Sequence, residues 1–161
     1  MNISLTLISP THHRLVCVRT DGSQESTELE TKSFLFHDLL HFAAESTAGI
    51  QGGFWGSLAA GKTLAEMNMK SGLPMEVYRP QTELDCMEIV VGALTGAWKN
   101  PERAGNVRQV LQTIFDAYEK ALPPYLSDDF AFKVFEKLRK LLGEWNSLKF
   151  GESLKLEWVA L

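Results

Sequence analysis

The sequence lacks the segments that direct a chain into or across a membrane. Its first ten residues, MNISLTLISP, have no basic region and alternate apolar with polar residues, unlike a signal peptide. The longest mostly apolar stretch, IVVGALTGAW, is far shorter than the ~20 residues that a spanning helix needs. Cys17 and Cys86 are too few for a disulfide framework, so we expect both thiols to be reduced and buried. These absences predict a cytoplasmic protein with no membrane partner.

The chain also lacks an excess of basic residues. Its formal net charge is −4, with 16 Lys and Arg against 20 Asp and Glu. Proteins that bind nucleic acid need a basic surface to displace the counterions of the phosphates. We therefore expect no nucleic-acid partner.

What the chain does have is enough apolar material for one core. Hydrophobic residues make up 45% of the 161 positions, and charge is close to balanced, which is unlike a disordered segment. This length is usual for one domain, and no linker or internal repeat interrupts it. We predict a single domain over residues 1–161.

Alternating apolar and polar residues predict strands at both ends of the chain. Asp21-Gly22, between the second and third strands, predicts a hairpin with a type I′ turn, in which both central residues have positive φ. The final strand is expected to return to the N-terminal strands. The predicted strand segments are ISLTL, RLVCVRT, QESTELET and SLKLEWVAL.

The middle of the chain has the three-and-four spacing of amphipathic helices. Thr31 or Ser33 is a suitable cap for the first, Thr82 for a second, and Ser127 for the last. Between the last two, Asn100-Pro101 begins a helix with inward residues from Val107 to Leu122 and a stop at Pro123. The predicted fold is α+β: a small antiparallel sheet packed with five or six helices that cover about half the chain.

Residues 56–63, GSLAAGKT, match the phosphate-loop pattern G-x-x-x-x-G-K-[ST]. A phosphate loop needs a strand immediately before its first glycine, and AGIQGGFW has no strand pattern. A local interpretation explains the same residues. Thr63 and Glu66 fit a capping box, and Gly61 fits the left-handed residue after a short helix. We therefore interpret the motif as structural and expect no nucleotide binding.

The predicted helix 33–46 carries an unusual polar face. His37, Asp38, His41 and Glu45 lie on one narrow strip at 100° per residue, and the other positions from 34 to 45 are apolar. An ordinary surface helix would have Lys, Ser or Gln there, whereas these groups all bind metals or transfer protons. Two histidines one helical turn apart can share a divalent ion such as zinc.

The other two polar residues of this helix have different expected roles. Asp38 occupies the position of the base in HExxH zinc proteases, but its side chain is one methylene shorter. Glu45 lies roughly 12 Å along the helix from His37 at ~1.5 Å per residue, so it is better suited to orient His41 than to bind the same ion. A third ligand must come from elsewhere. The candidates are His12, His13, Glu83, Asp85 and Glu88.

Two resemblances bear on this segment. His37-Asp38-Leu39-Leu40-His41 resembles the start of the zinc motif of a ubiquinone-biosynthesis family, His-Asp-x-x-His followed by eleven residues and Glu, and the resemblance implies zinc bound by His37 and His41. Gly53 stands in this chain at the position of the motif's Glu. Residues 29–66 also resemble a group of uncharacterised bacterial proteins, which implies no activity.

The sequence leaves two functions open. In the first, His37 and His41 bind a divalent metal and Asp38 or Glu45 acts as a base or orients a ligand, for metal-assisted hydrolysis or proton abstraction on a small molecule. The same groups could also do acid–base chemistry without a metal. In the second, the protein is a non-catalytic interaction protein and its histidines are structural.

Overall fold

The computed structural model describes residues 1–67 and 80–159. Within them, four strands form one antiparallel sheet in the order β3-β2-β1-β4, and six α-helices and one 3-10 helix accompany it. Helix accounts for 53% of the described residues and strand for 17%, which confirms the predicted α+β class and a helical share of about half. The elements are β1 (Asn2–Leu7), β2 (His12–Val18), β3 (Gln24–Glu30), α1 (Thr31–Ala48), α2 (Phe54–Ala59), α3 (Leu64–Met67), α4 (Glu83–Lys99), the 3-10 helix (Pro101–Asn106), α5 (Val107–Ala117), α6 (Phe130–Asn146) and β4 (Ser153–Glu157).

The C-terminal strand returns to the N-terminal sheet as predicted. β4 pairs with β1, with Ile3 opposite Leu156 and Leu5 opposite Leu154. The sheet packs on α1 through β3 and on α6 through β4. The apolar side chains buried on this face are Ile3, Leu5, Leu15, Cys17, Leu154 and Leu156. The opposite face is polar and open to solvent, as one-sided antiparallel sheets commonly are. α4 packs on α1, and α5 packs on α4, so one apolar cluster extends from the sheet through the helices.

The hairpin between β2 and β3 forms, but not with the predicted turn. Gly22 has a φ of +85°, and Glu119 is the one non-glycine residue with positive φ in the described parts of the chain. Asp21 therefore cannot adopt the type I′ conformation. Instead, Gly22 N donates to Arg19 O at 3.1 Å, which places Thr20 and Asp21 at the centre of the turn and Gly22 after it. The Asp21 carboxylate stabilises this shape by accepting hydrogen bonds from Ser23 N and Oγ.

The first helix begins without the predicted cap. Glu30 occupies the N-cap position and makes no side-chain capping bond, so β3 passes directly into α1. Thr31 Oγ1 lies 3.2 Å from His13 Nδ1, and Ser33 Oγ donates to the Glu30 carboxylate. Thr31 and Ser33 are wrong as caps because the β3 hydrogen bonds already fix the chain up to Glu30.

The later helices follow the prediction in part. Thr82 caps α4, as predicted, and it forms a capping box with Asp85. Pro101 begins a 3-10 helix before α5, which ends at Ala117, where Glu119 takes a φ of 55° well before Pro123. Val110 is 46% exposed, so its predicted inward position is wrong. α6 begins at Phe130 with Asp129 at its N-cap position, so Ser127 is wrong as its cap.

Both cysteines are free, as predicted, but only Cys17 is fully buried, since Cys86 is partly exposed. Among the residues that the structure describes, no helix has the length and apolar content needed to cross a membrane. The predicted helix that starts at Thr63 begins as α3, and its continuation beyond Met67 lies outside the described residues.

Candidate metal centre

The two histidines of α1 lie side by side. Their ring centroids are 4.5 Å apart, as the one-turn spacing predicts. Their surroundings differ, because the His37 side chain is 49% exposed and that of His41 is 2% exposed. The pair therefore joins a buried ring to one that reaches the surface.

Glu88 on α4 supplies a third group at the same point. Glu88 Oε1 lies 3.3 Å from His41 Nε2, and Glu88 Oε2 lies 3.9 Å from His37 Nε2. Single ligand atoms of these three residues all lie within 4.8 Å of one another. Glu88 was one of five candidates for the third ligand, and the packing of α4 on α1 brings it to the histidines.

The other four candidates have different surroundings. His12 Nδ1 contacts Thr11 Oγ1, and the buried His13 ring lies against Thr31 and Trp145. Glu83 accepts a hydrogen bond from Gly52 N, and the Asp85 carboxylate accepts from Gln81 N and Thr82 N.

The separations suit a small divalent cation. Zinc binds nitrogen and oxygen ligands at about 2.0–2.2 Å, so tetrahedral geometry places ligand atoms roughly 3.3–3.5 Å apart. The His41–Glu88 distance of 3.3 Å already has this value, and the His37–Glu88 distance of 3.9 Å is slightly longer. His37 and Glu88 are both about half exposed, so their side chains have room to close the difference.

Glu45 holds the buried histidine in place. Its carboxylate has no exposed surface and accepts a hydrogen bond from His41 Nδ1 at 3.0 Å. It also accepts from Phe54 N at 2.9 Å and from Trp55 N at 3.0 Å, at the start of α2. Carboxylates orient metal-binding histidines in this way, by fixing the ring and its tautomer. Glu45 is thus placed to position His41 and not to act as a base on a ligand.

Gly53 explains how α2 comes so close to Glu45. A Cβ atom at position 53 would lie 2.5 Å from the Glu45 carboxyl carbon, so any other residue would push this carboxylate out of place. The absence of a side chain therefore lets the first amides of α2 reach the carboxylate. At this position, where the ubiquinone-biosynthesis motif has its Glu, this chain needs a glycine.

The ring nitrogen of His41 that faces Glu88 has an unusual environment. Glu88 Oε1 is close enough for a charge interaction, but it lies off the direction of the ring N–H, so Nε2 has no hydrogen-bond partner in the described residues. Burial disfavours the charged ring, but Glu45 and Glu88 outweigh it and raise the pKa of His41 to about 9. The same imidazolium holds the pKa of Glu88 below its usual value against the opposing effect of burial. A proton or a metal cation on Nε2 would satisfy both carboxylates.

Asp38 faces a cavity beside these groups. The cavity has a volume of about 140 Å³, and its lining includes Asp38, His37, His41 and Glu88. Asp38 Oδ1 lies 3.7 Å from His37 Nδ1, and the Asp38 side chain is 12% exposed. The α1 residues singled out from the sequence therefore divide in two. His37, Asp38 and His41 meet at the cavity, whereas Glu45 lies behind His41.

The phosphate-loop residues have structural roles. Gly56 lies inside α2, where a Cβ atom would meet the carbonyl of Gln51. Gly61 has a φ of +104°, and Glu66 Oε2 accepts from Thr63 N and Oγ1 while Glu66 N donates to Thr63 Oγ1. The predicted left-handed glycine and capping box are confirmed. Helix α2, not a strand, begins two residues before Gly56, the first glycine of the motif.

The chain was compared with protein-family models, curated proteins and solved structures, and nothing matched in any of the three. The resemblances to the zinc motif and to the bacterial group therefore stay predictions.

Proposed function

We propose that this protein binds a divalent metal ion, with zinc as the first choice, through His37, His41 and Glu88. One observation carries the proposal. Glu45 holds His41 Nδ1, and the buried Nε2 on the other side of the ring has no hydrogen-bond partner in the described residues while it faces the two other ligands. Buried polar atoms are nearly always paired in proteins. A metal ion would pair this one.

We further propose that the bound metal serves hydrolysis of a small molecule. Three protein ligands leave a coordination position open, as in catalytic zinc sites, and such a metal lowers the pKa of a bound water to near neutrality. Asp38 lines the cavity next to the ligands and is the carboxylate placed to accept the proton of the water. The water oxygen would bond to the carbonyl carbon of an ester or amide, and the leaving group would depart with a proton.

A non-catalytic role is the competing account, and the pKa of His41 favours it. With a pKa of about 9 the ring is protonated at neutral pH, and the imidazolium would pair with the buried Glu45 and the half-exposed Glu88 without metal. The site would then hold α1, α2 and α4 together in an interaction protein. The two accounts differ in whether zinc replaces the proton.

The zinc affinity of variants at the two half-exposed ligands, His37 and Glu88, separates these accounts. We expect the purified protein to bind about one zinc, and His37→Ala and Glu88→Gln each to lower the affinity by roughly 100-fold or more, because each removes a ligand. Affinity would be measured by competition with a fluorescent chelator, together with elemental analysis.

The matched controls are His12→Ala, an exposed histidine outside the site, and Glu144→Gln on the exposed face of α6. Both should bind zinc like the unmodified protein. Equal affinity in all four variants, or no zinc in the unmodified protein and no change in its Tm with chelator, would leave the ion-pair account standing.

A further inference from the structure

The cavity beside the proposed metal has mostly apolar walls. Side chains from four elements line it: Leu15 from β2, Leu29 from β3, Phe54 from α2, and Leu64 with Met67 from α3. Phe34 of α1 also lines it and is 45% exposed. Large apolar side chains seldom lie open to water around a cavity that also holds titratable groups, and such a combination is typical of small-molecule sites.

The cavity volume limits what can enter. A cavity of about 150 Å³ lined by apolar side chains is large enough to hold benzene. The present cavity, at about 140 Å³, therefore fits an apolar group of about that size. A longer molecule would have to extend out of the opening.

The charges around the cavity disfavour anions. Asp38 and Glu88 line it, Glu45 lies directly behind His41, and no Lys or Arg is among the described lining residues. One divalent cation against three carboxylates leaves a net charge of −1 at the site. An anionic group on the substrate would therefore meet like charge, and none of the described lining residues offers a cation to bind it.

We propose that the substrate is an uncharged molecule that places an apolar group, about the size of a benzene ring, in this cavity next to the bond that is hydrolysed. This inference rests on the proposed metal site. The metal and Asp38 act on the polar bond, and the walls from β3, α2 and α3 select the neighbouring group by its size and lack of charge.

Three hydroxamic acids test the inference, because a hydroxamate binds zinc whatever group it carries. The probes are acetohydroxamate, benzohydroxamate and 4-carboxybenzohydroxamate, titrated into the zinc-loaded full chain at low salt. We expect benzohydroxamate to bind at least tenfold more tightly than acetohydroxamate, since only its ring fills the cavity. The added carboxylate should weaken binding at least tenfold.

A charge placed on the wall sharpens the test. Leu29→Lys should restore binding of the carboxylate probe at least fivefold relative to benzohydroxamate, because it puts a cation beside the cavity. Ser26→Lys is the matched control, since Ser26 is exposed on the opposite face of the same strand. This variant should leave the relative affinities for the three probes unchanged.

The outcomes separate the two proposals. Zinc binding that depends on His37 and Glu88, with equal affinity for all three probes, would overturn this inference and leave the metal site intact. A chain that binds no zinc would overturn both. A preference for the carboxylate probe would show that a cation does reach the cavity, and the substrate would then be anionic.

Discussion

Two segments of this molecule carry residues that suggest chemistry, and the structure treats them differently. In residues 56–63 and the adjoining Glu66, the polar groups of the motif contact one another, so the capping box and the left-handed glycine account for the pattern without a ligand. In residues 37–45, both oxygens of Glu45 accept hydrogen bonds, but His41 Nε2 has no hydrogen-bond partner in the described residues. The motif letters alone therefore do not separate the two segments. What distinguishes residues 37–45 is an unpaired ring nitrogen that lies beside two further ligand groups, His37 and Glu88.

The same substitution made in both segments gives the largest expected contrast. Glu45→Gln should lower the free energy of unfolding by about 3 kcal/mol, because both buried oxygens accept hydrogen bonds and an amide nitrogen would face a backbone N–H. Glu66→Gln keeps an oxygen for Thr63 on an exposed helix end and should cost under about 0.5 kcal/mol. Urea unfolding of both variants measures the difference. Equal losses of unfolding free energy would contradict a stabilising role for the buried Glu45 carboxylate.

The pH dependence of zinc affinity should be the next largest effect. His41 has a pKa of about 9, raised from 6.5, so below pH 9 zinc must displace a proton from the ring. Affinity should rise roughly tenfold per pH unit from pH 7 to pH 9 and then level off. Titration in chelator-buffered zinc measures it, and an affinity that does not change over this range would show that zinc does not bind His41.

The metal-free protein should show the opposite trend in stability. A pKa raised by folding contributes stability that is complete below the unfolded value of 6.5 and disappears as pH rises through about 9. Tm without metal should therefore fall between pH 7 and pH 10, whereas Tm with saturating zinc should fall less. Parallel curves with and without zinc would argue against competition between the proton and the metal.

The sequence predicted the caps at Thr63 and Thr82 and the strand faces because the residues that determine them are close together in the chain. Thr82 and Asp85, or Thr63 and Glu66, are three positions apart, and the alternation in β1 and β4 is local. The His41–Glu45 contact was predictable for the same reason, since the two residues are one helical turn apart. Glu88 could not be chosen over Glu83 or Asp85 because that choice depends on how α4 crosses α1. The predicted turn type at Asp21-Gly22 was wrong. The Asp21 carboxylate accepts a hydrogen bond from Ser23 N, and the dipeptide alone does not indicate this contact.

A smaller effect is expected from the capping box. Thr63→Ala removes the side chain that accepts from Glu66 N and donates to Glu66, so unfolding should become easier by about 1 kcal/mol. Zinc affinity should stay unchanged. Thermal unfolding and the zinc competition assay, run on the same sample, test both parts, and a fall in zinc affinity would contradict the separation of the two segments.

The smallest effect should come from the lysine of the phosphate-loop motif. Lys62 has an exposed side chain, and its carbonyl accepts a hydrogen bond from Arg19 regardless of what that side chain is. Lys62→Ala should change stability by no more than about 0.5 kcal/mol. ATP should shift Tm in neither protein. A shift that is present in the original chain and lost in the variant would revive the nucleotide interpretation.

The sharing of Glu45 between a ring and two backbone amides has a practical consequence. A proton or metal ion that binds His41 Nε2 should change the strength of the His41–Glu45 hydrogen bond. The hydrogen bonds that Glu45 accepts from Phe54 N and Trp55 N should change with it. The NMR signals of these two amides are therefore built-in sensors that need no label on the ligand. They should move together on zinc addition while distant signals on α6 stay in place.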